Sequence, residues 1–555
     1  MKINLNICGA VVFILLSVLP LNAQLNKLQS DIAESKKKAE IERAEQAVKD
    51  AGRQEREIAA AKKEVSQQIK ENADSPKIVA LKEIKFSPSQ ILPQNFLDEI
   101  RKEYTNRPLS AEDIDNILTK INNKYLLLGY IAAKAYLPEQ DITSGVMFVS
   151  LMEAKINESR ITGNDTTSAN FINSRIRLIG CDMVNVNDIE SDILYFNASN
   201  DIKARAALEP GPVYGTTDIN LVMTEPSRLS LVAFSDNSGQ KDTGLERYGA
   251  YAVLRSLTGY RDILTFGGML SKGSESYFAS YEIPEPLLKT RIGVGFDYST
   301  TEIISGPLHP LNVDGHFYDY YIYVKKPFWV TETMISSFNL NFSAKNGANY
   351  VDSYRTQTTK TDLITLAFDN IWIFNGGYLF NLVSAGQGVK ALEGKNEFTK
   401  FNYSGEFQTA VWGPLAFNLK GKAQLKAGGH DLPSSEQFQL GGVNTVRGYT
   451  EGMLIGDKGF DVMSELQFDF TAPLPRFVTY AKLFGFFDYG RIYPSKGTIT
   501  PEGYDKDIYS AGGGLRMGFF NRLDGSLTVA RTLNEHPSFG ENETKVLFYV
   551  QARIF

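Results

Sequence analysis

The sequence predicts a mainly β protein: an antiparallel transmembrane β-barrel of about 16 strands, preceded by two βααββ units and an N-terminal helix. Three observations carry that expectation. Over residues 227–555, segments of about ten residues alternate apolar and polar side chains, the period of a strand whose two faces meet different media. Glycine and aromatic residues are abundant (46 Gly, 27 Tyr, 34 Phe), yet residues 24–75 hold no aromatic residue and no proline. Between those regions the order strand, helix, helix, strand, strand occurs twice.

Residues 1–23 read as an export signal, with Lys2 ahead of an apolar run from Ile7 to Leu19 and a cleavage site at Leu21-Asn22-Ala23. Pro20 interrupts that run, which is too short for a comfortable membrane helix. Of the 2 cysteines, Cys8 falls inside the signal, which leaves Cys181 without a partner for an internal disulfide. No later segment carries enough consecutive apolar residues to span a bilayer as a helix. The net charge of −6 is too mild to argue for nucleic acid or for an acidic substrate.

Residues 24–75 are rich in Lys, Glu, Gln and Ala, which reads as helix. Ala44, Ala51, Ile58 and Val65 recur at heptad spacing, but the stripe is narrow and Gly52 interrupts it. A weak coiled coil or a solvated single helix fits, roughly 75 Å long at ~1.5 Å per residue.

The first α/β unit covers 76–154. It offers a strand from Val79 to Phe86, helices over 93–103 and 110–128, and strands around 132–136 and 146–152. Ser110-Ala111-Glu112-Asp113 supplies a capping signal for the second helix. The second unit, 155–226, repeats the order. A strand at 159–162 leads to helices near 168–177 and 186–197, then to strands at 203–208 and 217–223 around the turn Glu209-Pro210-Gly211-Pro212.

Within 227–555, Leu415, Phe417, Leu419, Ala423 and Leu425 oppose Asn418, Lys420, Lys422, Gln424 and Lys426. Phe460, Val462, Leu466, Phe468 and Phe470 likewise oppose Asp461, Glu465, Gln467 and Asp469. A soluble sandwich would also alternate, but it has no reason to concentrate Tyr, Trp and Phe near strand ends. An apolar belt between aromatic girdles does. Strands of ~9–11 residues suit a tilted bilayer crossing, and closure leaves no unpaired backbone in lipid. Outer-membrane lipid is therefore an expected partner, with the N-terminal units in the periplasm.

Enzyme chemistry finds no support. His309, His316, His430 and His536 are scattered, without HExxH or paired-ligand spacing, so no metal site is expected. There is no GxSxG elbow and no Walker loop. Gly386-Gln387-Gly388 lacks the third glycine and the helix of a dinucleotide site, so no cofactor is expected either.

The informative cluster is Gln439-Leu440-Gly441-Gly442-Val443-Asn444-Thr445-Val446-Arg447-Gly448-Tyr449, within a loop spanning 436–456. A hairpin tip with its arginine in water is the plain reading. The Gly-Gly pair followed by Val-Arg-Gly-Tyr, however, resembles the signature loop of the Omp85 superfamily of outer-membrane protein translocases and insertases. Phe486-Phe487-Asp488-Tyr489-Gly490 resembles that superfamily's Phe-x-Asp-x-Gly strand motif. The resemblance implies that the loop folds back into the barrel lumen.

A guanidinium held there needs a carboxylate, and alternation places Asp488 on the lumen face with Lys482 and Phe486. Arg447–Asp488 is thus the expected latch, with Glu465, also inward, in support. Val446, Gly448 and Tyr449 flank the arginine, and Gly441, Gly442 and Gly490 are the glycines of the two motifs.

The two α/β units resemble POTRA domains, including Tyr125 and Gly129-Tyr130 in the first and Pro210-Gly211 with Gly215 in the second. Two such units, a preceding helix and a 16-stranded barrel resemble the transporter of two-partner secretion, the ShlB/FhaC/HecB type also called TpsB. The run Phe234-Ser235-Asp236-Asn237-Ser238-Gly239 resembles that branch too. The resemblance implies export of an unfolded secreted partner, a TpsA-like adhesin or haemolysin, by a monomer that barrel-assembly machinery installs. An Omp85-type insertase is the alternative. Residues 24–75 are longer than the family's usual plug helix, so plug and periplasmic coil both stand as readings.

Overall fold

The computed structural model describes residues 79–554, apart from 177, 179–182, 395–396, 473, 494–506 and 535–542. The expected export signal and charged helix, with Cys181, His536 and Phe555, lie outside the described residues. After Pro226 the chain divides into two compact units.

The first unit contains two three-stranded sheets of one topology. In the first, β2 (Glu83–Phe86) runs parallel to β5 (Val146–Met152), which pairs antiparallel with β4 (Lys134–Tyr136). Helices α1 (Gln94–Tyr104) and α2 (Ala111–Leu127) cover this sheet. Ile117, Ile121 and Tyr125 of α2 recur at four-residue spacing, so they share the face that buries against Ile84, Met147 and Val149. Ser110 and Asp113 form a reciprocal capping box at the start of α2, as the sequence suggests.

The expected single strand from Val79 to Phe86 is two strands. Lys82 and Glu83 both donate their N–H to the Gly145 carbonyl, and the chain changes partner there. β1 (Val79–Leu81) then pairs with β3 (Arg107–Leu109), a short strand between the helices that periodicity does not reveal.

The second sheet repeats the plan. β6 (Lys155–Thr162) runs parallel to β8 (Thr216–Thr224), which pairs antiparallel with β7 (Lys203–Pro210). Helices α3 (Ala169–Asn173) and α4 (Val186–Ser199) supply Phe171, Ile172 and Phe196 to a core with Leu221 and Met223. Gly129 joins the halves: its carbonyl accepts from Val186 N–H at 2.8 Å. A β-carbon on Gly129 would lie 2.6 Å from Asn185 Oδ1, and its φ of +85° already disfavours other residues.

The second unit is a closed antiparallel 16-strand barrel among the described residues. It runs from β9 (Leu229–Asp236) to β26 (Thr544–Arg553), leaving out β20 (Phe438–Leu440) and β21 (Leu454–Gly456). The expected alternation holds on β19 (Leu415–Gly429). Leu419 and Leu425 are exposed on the outside, whereas Asn418, Lys422, Gln424 and Lys426 bond to groups in the lumen. Outward Phe338, Leu340, Leu366, Val383, Leu466, Leu483, Leu527 and Val529 make the outer wall apolar. A wall of that kind calls for lipid rather than water. Among the described residues no helix is long and apolar enough to cross a membrane.

Aromatic residues mark the near rim, where the chain begins β9. Trp329, Trp372 and Trp412 close β14 (Val313–Val330), β16 (Tyr354–Phe374) and β18 (Phe398–Trp412) at that end, and all are exposed. Phe328 stacks on Phe338 with centroids 4.5 Å apart, and Phe477 stacks on Phe520 at 5.6 Å. These rings form an interfacial girdle. Turns at this rim are tight, and Ser256, Arg261, Lys289 and Asn521 adopt positive φ.

Strand length departs from the expectation. β15 (Met334–Val351) and β16 run 18 and 21 residues, far beyond the ~9–11 of a bilayer crossing. The surplus extends past the far rim as a hairpin turned by Asp352 and Ser353, with φ of +47° and +68°.

Candidate functional site: the loop inside the lumen

Between β19 and β22 (Lys458–Asp469) the chain does not make a simple hairpin. Residues 430–457 enter the lumen and bond to wall residues around it. At the root, Glu436 is 3% exposed and sits between two ammonium groups, Lys345 at 2.7 Å and Lys400 at 2.8 Å. Gln424 donates to the Glu436 carbonyl at 2.9 Å. Asp457, where the loop ends, pairs with Lys426 at 3.1 Å and accepts from Gln437 at 3.1 Å.

β20 and β21 form a three-rung ladder that carries the motif segment as its tip. Gly441 and Gly442 turn the chain there with φ of +104° and +100°. Gly441 N–H donates to Thr445 Oγ1 at 2.9 Å, which closes the turn. Val446 is fully buried with Leu440, Leu454, Ile492 and Ile508, so the tip has its own apolar core against the wall. That contact explains Gly490 on β23 (Val478–Tyr493): a β-carbon there would stand 2.3 Å from Leu440 Cδ1.

Arg447 points to the wall between β22 and β23. Its Nε and Nη2 donate to the two oxygens of Asp488, each at 2.7 Å, the bidentate fork of a guanidinium on a carboxylate. Its Nη1 donates to Glu465 at 2.9 Å, and its main-chain N–H adds a bond to Asp488 at 3.1 Å. The ring of Phe486 lies 3.6 Å from the guanidinium carbon. Arg516 on β24 (Asp507–Phe519) donates both terminal nitrogens to Glu465 and rests on the ring of Phe484. Two arginines and two carboxylates thus form one network, in which each charge has an opposite neighbour.

Beyond the arginine, Gly448 lies against Ala530 and Thr532 of β25 (Leu523–Thr532) with φ of +93°. Tyr449 donates to the Tyr509 carbonyl at 3.1 Å and also bonds Asn534. Glu451 pairs with Arg247 on β10 (Arg247–Arg255) at 3.2 Å, and Arg247 in turn binds Asp236 at 2.8 Å. Gln240 donates to the Glu451 carbonyl at 2.9 Å.

The structure therefore brings together Arg447, Asp488 and Glu465, with Val446, Gly448 and Tyr449 of the loop seated against the adjoining wall and Gly441, Gly442 and Gly490 at the turn and the close approach. Sequence reasoning did not identify Phe486 as a partner of Arg447 or Arg516 as a partner of Glu465. It also missed Glu436 with Lys345 and Lys400, and Glu451 with Arg247. Lys345 bonds a glutamate 91 positions later, and nothing local in the sequence pairs the two. The arrangement holds the loop against the inner wall by ion pairs, hydrogen bonds and a small apolar cluster.

Residues 215–517 match the family described as haemolysin secretion/activation protein ShlB/FhaC/HecB, and residues 79–154 match the POTRA domain, ShlB-type. The heme/hemopexin transporter protein HuxB of Haemophilus influenzae is 25% identical over 521 residues, covering 87% of this chain and 90% of its own. The outer membrane transporter CdiB of Dickeya dadantii is 25% identical over 421 residues, 71% of this chain and 73% of its own. Among solved structures, CdiB from Escherichia coli superposes with a TM-score of 0.66 at 19% identity, covering 87% of this chain and 92% of that one. With residues 215–517 of 555 accounted for by one family, the chain belongs to the ShlB/FhaC/HecB haemolysin secretion/activation proteins, outer-membrane transporters of two-partner secretion with periplasmic POTRA domains.

Proposed function

We propose that this chain takes an unfolded secreted partner from the periplasm and passes it outward through its own lumen. The observation that carries the reading is the loop: it lies inside the barrel and is held to the inner wall by ion pairs and hydrogen bonds rather than by covalent closure. On this reading residues 76–154 and 155–226 are two POTRA domains that receive the partner, and 227–555 is the conduit. An amphipathic strand of the partner adds to a POTRA sheet edge, where main-chain hydrogen bonds give affinity and side-chain pockets give selectivity.

The Arg447–Asp488 pair, supported by Glu465, is the latch that fixes the loop when no partner is in transit. Transport involves no catalysed reaction and no cofactor. Folding of the partner outside makes passage one-way. The partner is a large adhesin or cytolysin; the transporter is a monomer in outer-membrane lipid, placed there by barrel-assembly machinery.

Deletion of the gene tests the reading. Export predicts loss of one surface polypeptide with the remaining outer-membrane proteins intact; loss of many outer-membrane proteins would replace it with an insertase. Deletion of residues 24–75 followed by single-channel recording separates a pore plug, whose removal raises conductance, from a periplasmic coil, whose removal leaves it unchanged.

A further inference from the structure

The barrel closes where β26 meets β9, and main-chain pairing there is the shortest in the wall. It runs from Arg553↔Val232 to Tyr549↔Asp236 and stops, because β9 ends at Asp236. β26, however, continues back to Thr544. The register would place Asn237 opposite Phe548 as the next rung. Instead the Asn237 side chain occupies that position. Its Oδ1 accepts from Phe548 N–H at 2.9 Å, and its Nδ2 donates to the Val546 carbonyl at 2.9 Å.

A carboxamide carries the same donor and acceptor as a peptide group, so it can stand in for a missing strand residue. Val546 and Phe548 lie on the lipid-facing wall, where an unpaired main-chain group is costly. The carboxamide is also aimed. Asp236 Oδ1 accepts from Ser238 N–H at 2.7 Å, which fixes the backbone on both sides of Asn237. The same oxygen is held by Arg247 at 2.8 Å, and Arg247 is the residue that the lumen loop grips through Glu451. On the opposite side of the seam, Lys545 of β26 reaches Thr450 of the loop at 3.4 Å.

We propose that Asn237 is a clasp, a side-chain surrogate for the last rungs of the β9–β26 seam, positioned by a chain of contacts from Glu451 through Arg247 and Asp236. Seating the loop thereby holds the far end of the seam shut, and withdrawing the loop loosens it. Asn237 is a positioning residue; it touches no cargo.

Amide hydrogen exchange on the full-length protein in lipid tests this without any variant. Phe548 N–H should exchange slowly in the wild type, although among the described residues its acceptor is the Asn237 side chain and not a main-chain carbonyl; exchange at the rate of open backbone overturns the clasp. In Asn237→Ala that amide exchanges roughly tenfold faster or more, where tenfold corresponds to about 1.4 kcal/mol. Leu547 and Tyr549, whose amides face β25, stay unchanged. An unaltered Phe548, or a parallel rise at all three amides, overturns it. Glu451→Gln, which leaves Asn237 in place, raises exchange at Phe548 in the same selective way; no rise there sinks the link to the loop.

Discussion

Replacing Arg447 by alanine removes the two 2.7 Å bonds to Asp488, the 2.9 Å bond to Glu465 and the contact with Phe486. Asp488 is 0% exposed, and from residue 447 it would keep only the main-chain N–H bond at 3.1 Å. Removing one partner of a buried pair costs about 3–5 kcal/mol, because the remaining charge is left uncompensated. That corresponds to a shift of roughly two to three and a half orders of magnitude in the ratio of seated to displaced loop.

Glu465 suffers less, since Arg516 still holds it. Arg447→Lys, which keeps the charge but not the planar fork, falls between alanine and wild type. The assay is labelling of a single cysteine at Asn444 by an impermeant maleimide added outside cells, in a Cys181→Ser background. Fast labelling in Arg447→Ala with slow labelling in the parent is expected. The reversed pair, Arg447→Asp with Asp488→Arg, should label and export closer to the parent than either single change. Equal labelling in parent and Arg447→Ala, or a double variant no better than the singles, would refute the pairing.

Three further outcomes follow from the same contacts. Glu436→Gln leaves Lys345 and Lys400 facing a neutral amide, so the barrel should lose on the order of 3 kcal/mol, read as a lower unfolding midpoint; an unchanged midpoint removes Glu436 as the loop's root. Gly490→Ala drives a β-carbon to 2.3 Å from Leu440, an overpacking of about 1–3 kcal/mol, and Leu440→Ala in the same chain should relieve it; failure of that rescue would place the clash elsewhere.

In the first α/β unit, the Ser110 N–H and hydroxyl and the Arg107 guanidinium hold the Asp113 carboxyl below its ordinary value. A lowered folded pKa means that the contribution is complete above the unfolded value of about 3.9 and is lost as pH falls through the lower folded value. Protection of the first turn of α2, corrected for intrinsic exchange, should therefore fall below about pH 4. It should stay flat there in Asp113→Asn; identical profiles would show that the capping box does not respond to acid.

The features legible in the sequence were those with a period or a motif. Two-residue alternation on β19 alone identifies the lumen face of Lys422, Gln424 and Lys426, because lipid and water sort side chains with one rule along the whole wall. Arg447 and Asp488 were legible because their two motifs resemble those of the Omp85 superfamily, which implies a loop inside the lumen, where a guanidinium needs a carboxylate. The break at Lys82 was not legible: it depends on a carbonyl at Gly145, which lies across the sheet. The length of β15 and β16 was hidden for a different reason, since outside the bilayer both faces meet water and alternation fades. Contacts such as Glu436 with Lys345 join segments that only barrel closure brings together.

Transit through the lumen can be observed by placing a photo-crosslinking residue at Thr528 and, separately, at its neighbour Leu527. The two sit side by side on β25 and face opposite ways, Thr528 into the lumen and 9% exposed, Leu527 outward and 50% exposed. Irradiated during export, Thr528 should capture the secreted polypeptide and Leu527 should not. Capture from Leu527 alone, or from neither position while export continues, would contradict passage through the barrel.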